Sequence, residues 1–155
     1  MMYNSKGGIN MKIAIASDHG GFYLKEEVKK YLDENGYEVV DCGTNSIDSC
    51  HYPEYAAKCA ELVSKGDCPF GIVICTTGEG VAIVANKFKN VRAGIAYNKD
   101  VARLMREHND ANIIALGAKY TSLQEAIERI EEFLNAKFLE GRHSIRVQMI
   151  KDLEK

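Results

Sequence analysis

A cysteine lies where an apolar run changes into a small glycine-rich loop. Cys75 ends the run that begins at Phe70, and the loop from Thr76 to Gly80 leads into an apolar helical pattern at residues 81–87. A strand, a glycine-rich loop and a helix N-terminus in this order present backbone N–H groups to an anion. A thiol beside such donors can act as a thiolate base or nucleophile. A lone cysteine is more often a small buried core residue, so the surrounding elements must decide between the two interpretations.

Two histidines follow predicted elements that lead toward the same region. His19 comes shortly after the first predicted strand, and His108 ends a predicted helix just before the fifth strand. Histidine is the side chain best suited to proton transfer near neutral pH, although a lone histidine is more often a surface or satisfied core residue. We expect both histidines to lie with Cys75 at the ligand-binding edge. Asp18 could orient His19 or hold a substrate hydroxyl, or it could simply cap a helix N-terminus.

Two arginines lie four residues apart near the start of the last predicted helix. Arg142 and Arg146 share one helical face. Such a pair is commonly a solvated charged face, but it could also bind a phosphate dianion in bidentate fashion. The same helix carries an apolar stripe of Val147, Ile150 and Leu153, and it lies beyond the helices needed to cover the sheet. We therefore expect this helix to pack on a second subunit and to deliver its arginines to that subunit's site.

The elements that would position these residues alternate regularly between strand and helix. Short apolar runs predict five strands, and patterns at helical spacing follow each of them. This alternation predicts an α/β fold in which a five-stranded parallel sheet is covered by helices on both faces. Ligands in such folds bind outside the carboxyl ends of the strands, near the point where strand order reverses. The predicted strands are residues 12–17, 37–42, 70–75, 91–97 and 112–117.

Several helix boundaries carry local signals. Gly36 ends the first predicted helix, and Tyr52-Pro53 begins the second. Ser122 and Glu125 form a capping box at the start of a long helix. The apolar stripe of that helix is predicted to consist of Leu123, Ile127, Ile130, Leu134 and Phe138.

Length and composition favour a single soluble domain. The 155 residues suffice for one domain with a sizeable core, and the net charge of -2 favours neither nucleic acid nor an anionic membrane. Five dispersed cysteines without a Cys-x-x-Cys pair predict neither a disulfide framework nor a zinc site, and they favour a reducing cytoplasm. We interpret residues 1–10 as a tag remnant or an upstream extension and residues 11–155 as the domain.

Nucleotide fingerprints do not account for the glycine-rich loop. It lacks the Lys-Ser/Thr ending of a P-loop. A dinucleotide-binding fold would place its glycine motif after the first strand, where the sequence has Asp18 to Gly21 instead. Asp41 does end the second predicted strand, at the position of a ribose-binding acid. Dinucleotide binding therefore stays open as a minor alternative.

Six segments of the chain can be compared with known families, namely residues 18–21, 41–44, 52–53, 75–80 with 85–87, 108–112, and 141–143 with Arg146. Taken together, they resemble the type B ribose-5-phosphate isomerases, in a wider group that includes galactose-6-phosphate and allose-6-phosphate isomerases. The resemblance extends from Met11 to about Leu153. It implies a five-stranded Rossmann-like three-layer α/β/α sandwich that works as a homodimer or a dimer of dimers, with no metal and no cofactor.

The resemblance also implies a reaction and its catalytic groups. Ribose 5-phosphate and ribulose 5-phosphate would interconvert through an enediolate, a step of the pentose phosphate pathway. Cys75 would be the base that moves a proton between C2 and C1, and the backbone of residues 76–80 would bind the developing negative charge. The Thr77 hydroxyl would lie close to the migrating proton. His108 would open the furanose ring by acid–base catalysis.

Substrate binding is implied for a larger set of residues. Asp18, His19 and Asn109 would hold sugar oxygens or phosphate, and Arg142 and Arg146 would bind phosphate from the partner subunit. The complete implied set is Asp18, His19, Tyr52, Thr76, Gly78, Glu79, Gly80, Asn109, Lys119, Arg142 and Arg146.

Four positions bear on which member of the group the chain resembles. Val81 stands where some members carry a glutamate base, which favours Cys75 as the base. Thr76 stands where glycine is frequent, Lys119 where some members have an arginine, and His51 where an acid is frequent. Thr76 bears on the backbone freedom of the loop. The differences at Lys119 and His51 bear on substrate preference, so an allose-6-phosphate or galactose-6-phosphate isomerase is the alternative. A non-catalytic nucleotide-binding module on the same fold is a more distant one.

Overall fold

The computed structural model describes residues 11–155 as a five-stranded sheet in which every paired strand is parallel to its neighbour. The strand order is β2-β1-β3-β5-β4, so the order reverses between β1 and β3. The predicted α/β fold is confirmed. The interpretation of residues 1–10 as a tag remnant or an upstream extension concerns residues outside the described range. The strands are β1 (Lys12–Ser17), β2 (Glu38–Asp41), β3 (Phe70–Cys75), β4 (Ala93–Ile95) and β5 (Ile113–Gly117).

The three central strands match their predicted bounds closely, whereas the two edge strands are shorter than predicted. In the part of the chain that the structure describes, β2 pairs only with β1, and β4 pairs only with β5. An edge strand has one hydrogen-bonded neighbour, so its ends are less well defined by pairing. Beside β4, the backbone N–H of Arg92 donates instead to the side-chain Oδ1 of Asn112 at 2.8 Å. The predicted strand over residues 91–97 is therefore limited to its central part.

Within residues 11–155, six α-helices follow the strands, and none of these is long and apolar enough to cross a lipid bilayer. The predicted capping box is confirmed, because Ser122 Oγ accepts from Glu125 N and Glu125 Oε1 accepts from Ser122 N, both at 3.1 Å. The predicted stripe of α5 is partly wrong. Leu123 is exposed, and the helix ends at Asn135, before Phe138. The helices are α1 (Phe22–Glu34), α2 (Tyr52–Ser64), α3 (Glu79–Ala85), α4 (Lys99–Glu107), α5 (Leu123–Asn135) and α6 (Arg142–Asp152).

Two apolar layers cover the two faces of the sheet. Side chains alternate along β1, so that Ile13 and Ile15 point into one layer while Ala14 and Ala16 point into the other. The first layer contains buried residues of α1, α4 and α5, and the second contains those of α2 and α3. The three central strands are buried on both faces, as expected for a parallel sheet between helices, whereas β2 and β4 at the edges are only partly buried. α6 lies outside both layers, and its two buried residues, His143 and Val147, belong to neither of them.

A fully buried lysine ties α1 to the end of β2. Lys25 is 0% exposed, and its Nζ lies 2.8 Å from Glu26 Oε1 and 2.9 Å from Asp41 Oδ2. Lys29 Nζ approaches the same Asp41 oxygen at 2.7 Å. Burial acts to raise the pKa of Asp41, but the hydrogen bonds from Lys29 and Lys25 outweigh it and hold that pKa below its ordinary value. The other oxygen of Asp41 accepts from Gly43 N at 2.9 Å, so the network supports the loop after β2.

Replacing Asp41 is expected to destabilise the fold strongly. Asp41→Asn leaves the buried Lys25 ammonium facing only Glu26, which should cost about 3 kcal/mol of unfolding free energy. Urea denaturation at neutral pH measures the loss. Glu61→Gln, which removes an exposed ion pair with Lys65, serves as the control and should change stability by less than about 1 kcal/mol. Because the Asp41 pKa is lowered on folding, its contribution is present at neutral pH and is lost as the pH falls through that lowered value. Equal effects of the two substitutions would contradict this role of Asp41.

Candidate active site

The loop after β3 places backbone donors against the Cys75 thiol. Cys75 is 6% exposed at the carboxyl end of β3. The Gly78 N–H donates to its Sγ at 3.2 Å, and the Glu79 N–H donates to Thr77 Oγ1 at 3.2 Å. Gly78 adopts a left-handed conformation with φ of 83°, which turns the chain into α3. An N–H donor directed at a sulfur stabilises negative charge on it, so this geometry suits a thiolate.

The other cysteines divide into an inert group and one that lies beside a candidate site residue. Burial raises the pKa of Cys42 to about 11 and raises the pKa of Cys59 and Cys68 above their ordinary value, so these three remain thiols at neutral pH. Cys50 is only half-buried, and its Sγ lies 3.8 Å from His19 Nδ1. Cys50 thus lies with Cys75 near the predicted ligand edge.

The carboxyl ends of β3 and β5 are in direct backbone contact. A Cβ atom on Gly117 would lie 2.6 Å from the carbonyl oxygen of Thr77, so the close approach requires glycine. A Cβ on Gly78 would lie 3.0 Å from the carbonyl carbon of Leu116. The Lys119 N–H donates to the Thr76 carbonyl at 3.1 Å. These contacts place Lys119 beside the Cys75 loop, as the resemblance implies.

The carboxyl end of β1 joins the same group. A Cβ on Gly20 would lie 2.5 Å from Thr76 Oγ1, so the Thr76 side chain packs directly on the backbone after β1. Asp18 N donates to the Ile74 carbonyl at 3.3 Å. Asp18 Oδ1 accepts from Gly21 N at 3.1 Å, which confirms the capping interpretation of Asp18. Its capping role and a role in substrate binding are compatible, because a carboxylate accepts several hydrogen bonds.

His19 and Tyr52 form the sides of this region. The Cys50 N–H donates to His19 Nδ1 at 3.2 Å, which leaves Nε2 of the exposed ring to carry the proton. A Cβ on Gly80 would lie 2.6 Å from the Tyr52 ring, so Tyr52 covers the first turn of α3. Sequence reasoning did not single out Cys50, since it lies in a loop without periodicity and 31 residues from His19.

The structure corrects the expected position of His108. α4 runs back along the sheet, so His108 and Asn109 lie near the amino ends of the strands, not at the carboxyl ends with Cys75. The Asn112 carbonyl accepts from Gly71 N at 2.9 Å, at the beginning of β3. The four residue steps of β5 between its two ends span about 13 Å. Within a single chain, the expectation that His108 shares the ligand edge with Cys75 and His19 is therefore wrong.

Two arginines hold the segment after His108. Arg92 Nε donates to the Asn109 carbonyl at 3.1 Å, and its Nη2 donates to the Asp110 carbonyl at 2.9 Å. Arg106 Nη1 lies 2.9 Å from Asp110 Oδ1. Asp110 has a φ of 48°, a conformation that non-glycine residues adopt only with support. The two guanidinium groups supply that support and leave Asn109 exposed at the surface.

α6 brings its arginines to the His108 side of the molecule. The His143 ring stacks on the His108 ring with centroids 4.3 Å apart, and Arg142 and Arg146 lie on the same helix and are exposed. His143 belongs to the segment 141–143 that carries the resemblance, but its contact with His108 was not predicted. Of the predicted residues, one group lies at the carboxyl edge and a second, comprising His108, Asn109, Arg142 and Arg146, lies elsewhere.

The outward face of α6 is apolar. Ile145, Met149 and Leu153 are 68%, 63% and 79% exposed, and their spacing of four residues places them along one side of the helix. The predicted stripe of Val147, Ile150 and Leu153 is divided, because only Val147 is buried. Exposed apolar side chains in a row are typical of a surface that contacts another protein.

The shape of the Cys75 loop should depend on the absence of a side chain at Gly78. Gly78→Ala and Gly66→Ala both place a Cβ on a residue with φ near 82–83°, but nothing lies within 4 Å of the Gly66 position. Each substitution should cost about 1–2 kcal/mol of stability. Only Gly78→Ala should also lower activity, since its Cβ meets the backbone of β5. Thermal unfolding and steady-state rates of the two variants measure this difference. Equal activity of Gly78→Ala and Gly66→Ala would contradict the requirement for glycine at position 78.

Within residues 11–155, no group of three or more His, Cys, Asp or Glu side chains is arranged to hold a metal ion. The donors at the Cys75 loop are backbone N–H groups, which bind anions and not cations. The arrangement can thus bind negative charge beside a thiol and, on the opposite side, present an imidazole with two guanidinium groups. These are the components of acid–base chemistry on a phosphorylated molecule.

Comparisons with known proteins identify the family of the chain. A family model described as Ribose/Galactose Isomerase matches residues 13–150. Ribose-5-phosphate isomerase B of Escherichia coli is 42% identical over 143 residues, which cover 92% of this chain and 96% of that protein. The structure of Clostridium thermocellum ribose-5-phosphate isomerase B has a TM-score of 0.91 at 48% identity, covering 92% and 97% of the two chains. That of Mycoplasma genitalium ribose-5-phosphate isomerase B, with bound ribulose-5-phosphate, has a TM-score of 0.88 at 38% identity, covering 91% and 94%. The chain therefore belongs to the ribose/galactose isomerase family, among the type B ribose-5-phosphate isomerases.

Proposed function

We propose that the protein interconverts D-ribose 5-phosphate and D-ribulose 5-phosphate through an enediolate, with Cys75 as the base. The observation that carries the proposal is the 3.2 Å contact from the Gly78 N–H to Cys75 Sγ, at the edge of the sheet where ligands bind in this fold. The match to isomerases that act on sugar phosphates supports the substrate class. The bound ribulose-5-phosphate of the Mycoplasma genitalium enzyme supports the choice of a pentose phosphate.

The proton transfers balance without any added reagent. The Cys75 thiolate takes the proton from C2 of the open-chain aldose, and the electrons of that C–H bond form the C1–C2 double bond of an enediolate. The thiol then returns the proton to C1, while the hydroxyl proton of O2 moves to O1. The N–H groups of residues 76–80 would stabilise the charge that develops on oxygen, and the Thr77 hydroxyl lies in the same loop as a local proton carrier.

We infer that a second copy of the chain completes each site. Ribose 5-phosphate is a closed furanose before reaction, so an acid–base group must open the ring, and His108 is the group that the family resemblance implies. In one chain, Cys75 lies at the carboxyl ends of the strands and His108 lies near their amino ends. This separation favours a homodimer in which each site combines the Cys75 loop of one protomer with the His108 side of its partner. The exposed apolar face of α6, formed by Ile145, Met149 and Leu153, supports such an interface.

The phosphate would then be bound from both protomers. Arg142 and Arg146 would approach the Cys75 loop from the partner and bind phosphate oxygens bidentately. Asp18, His19 and Lys119 lie beside the loop in the same protomer as Cys75. Lys119 would contribute a single positive charge, because its ammonium lacks the paired, coplanar N–H donors of arginine. Tyr52 and Glu79 line the first turn of α3, where they would contact the sugar.

A substrate comparison tests the proposal directly. Initial rates are measured by NMR with ribose 5-phosphate, allose 6-phosphate and galactose 6-phosphate at matched concentrations. We expect ribose 5-phosphate to have the highest kcat/KM, by more than about tenfold, since one additional carbon in a fitted pocket is worth about 1–3 kcal/mol. A preference for either hexose phosphate would reassign the substrate within the family. Conversion of none of the three would contradict an isomerase function.

We also infer that the protein works in a reducing compartment such as the cytoplasm. All five of its cysteines are free thiols in the part of the chain that the structure describes. A thiol base at Cys75 also requires a reduced sulfur, and reducing compartments maintain that state.

A further inference from the structure

His143 is buried in a helix whose neighbouring side chains are exposed. It is 8% exposed, whereas Arg142 and Ser144 on either side of it are exposed. Its ring is nearly parallel to the ring of His108, with an angle of 11° between the planes and 4.3 Å between the centroids. Each ring therefore covers one face of the other. The contact fixes the plane in which the ring nitrogens of His108 lie.

Backbone contacts hold the two rings in this arrangement. The Leu139 N–H donates to the Glu107 carbonyl at 3.0 Å, which ties the chain entering α6 to the last residue of α4. Glu140 and Gly141 have φ values of 63° and 59°, and they turn the chain sharply. The His143 N–H then donates to the Glu140 carbonyl at 3.1 Å. The first turn of α6 is thus built against the end of α4.

The charges around His143 favour its neutral form. Burial lowers its pKa, and the nearby His108, Arg142 and Arg146 lower that pKa further. A neutral His143 ring avoids repulsion with His108 when His108 takes up a proton. The lowered pKa favours a His143 ring that orients His108 by stacking without placing a second positive charge against it.

We propose that His143 is a positioning residue for His108, holding the His108 imidazole by stacking at the angle that ring opening of the sugar requires. The inference rests on the proposed function, because the angle matters only if His108 exchanges protons with the sugar ring. His143 itself need not touch the sugar. Displacement of a reacting group by about 1 Å can cost on the order of 100-fold in rate, so the loss of the stack should be measurable.

The test separates the step of His108 from the step of Cys75. His143→Leu is expected to lower kcat for ribose 5-phosphate by about 10- to 100-fold, with KM changed by less than about twofold. The same variant should still exchange the C1 proton of ribulose 5-phosphate with D2O at close to the wild-type rate, because that exchange starts from an open chain and needs only Cys75. His143→Phe retains a flat ring and should recover most of kcat.

Val147→Ala is the matched control, since Val147 is the other buried residue of α6. Val147→Ala weakens the packing of α6 without removing the stacked rings. We expect it to raise KM, because the proposed phosphate ligands Arg142 and Arg146 lie on the same helix, and to leave kcat unchanged. Should His143→Leu behave like Val147→Ala, or lose proton exchange together with isomerisation, the positioning role is overturned. An unchanged kcat in His143→Leu also overturns it. A wild-type chain that converts none of the sugar phosphates overturns the proposed function, and this inference with it.

Discussion

Mixed dimers of two inactive variants should regain about a quarter of the wild-type activity. Cys75→Ala removes the base from the carboxyl edge of the sheet, and His108→Ala removes the imidazole from the opposite side. If each site combines Cys75 from one protomer with His108 from its partner, a hybrid dimer contains one site with both substitutions and one site with neither. Random exchange of equal amounts produces about half hybrids. The intact sites are then about a quarter of the total.

The experiment requires subunit exchange, which co-expression of differently tagged chains or refolding of a mixture supplies. Native mass spectrometry measures the fraction of hybrids, and NMR of the sugar phosphate measures the rate. Each variant taken alone through the same procedure is the control and should remain inactive. If verified hybrids show no recovered activity, the two residues do not share a site between protomers. A chain that sediments as a monomer at assay concentrations, with full activity, would contradict the shared site as well.

Cys75→Ala alone should abolish isomerisation while the fold persists. A positioned acid–base group contributes about 10²- to 10⁴-fold to a rate, and the loss should lie at the upper end of this range because Cys75 is the proposed base for both proton transfers. The variant should also cease to exchange the C1 proton of ribulose 5-phosphate with D2O. Circular dichroism and thermal unfolding establish that the fold is retained.

Cys68→Ala provides the matched control for the loss of a thiol. Cys68 is 1% exposed, and burial raises its pKa, so it is a structural thiol. Its replacement should leave kcat/KM close to that of the wild type. A Cys75→Ala variant with nearly full activity would remove the thiol-base mechanism, whereas equal losses in the two variants would indicate a general effect of emptying the core.

The sequence was informative wherever local chemistry determines structure. The run from Phe70 to Cys75 is apolar and is followed by glycines at Gly78 and Gly80, so its strand, loop and helix could be predicted from neighbouring residues. The capping box of Ser122 and Glu125 is local in the same way. These elements placed Cys75 and the backbone donors of its loop on the correct edge of the sheet.

The differences between prediction and structure have three physical causes. His108 was placed on the wrong edge because a helix between parallel strands runs antiparallel to them, so its last residue returns to the amino side. The contact of His143 with His108 and that of Cys50 with His19 join residues 35 and 31 positions apart, and no local pattern encodes such pairs. The bounds of β2 and β4 were overestimated because side-chain and loop contacts replace strand pairing at the edges of the sheet.

The contact between Gly117 and Thr77 has a consequence for how this family can diversify. The donors beside Cys75 are main-chain atoms, and they rest on the main chain of β5 with no intervening side chain. Substitutions elsewhere can therefore neither add nor delete these donors directly. Under the proposed function, we expect substitutions at Lys119 and His51 to change substrate preference while the main-chain donors beside Cys75 stay the same. We therefore expect a change of sugar substrate to require no change in the main-chain donors beside Cys75.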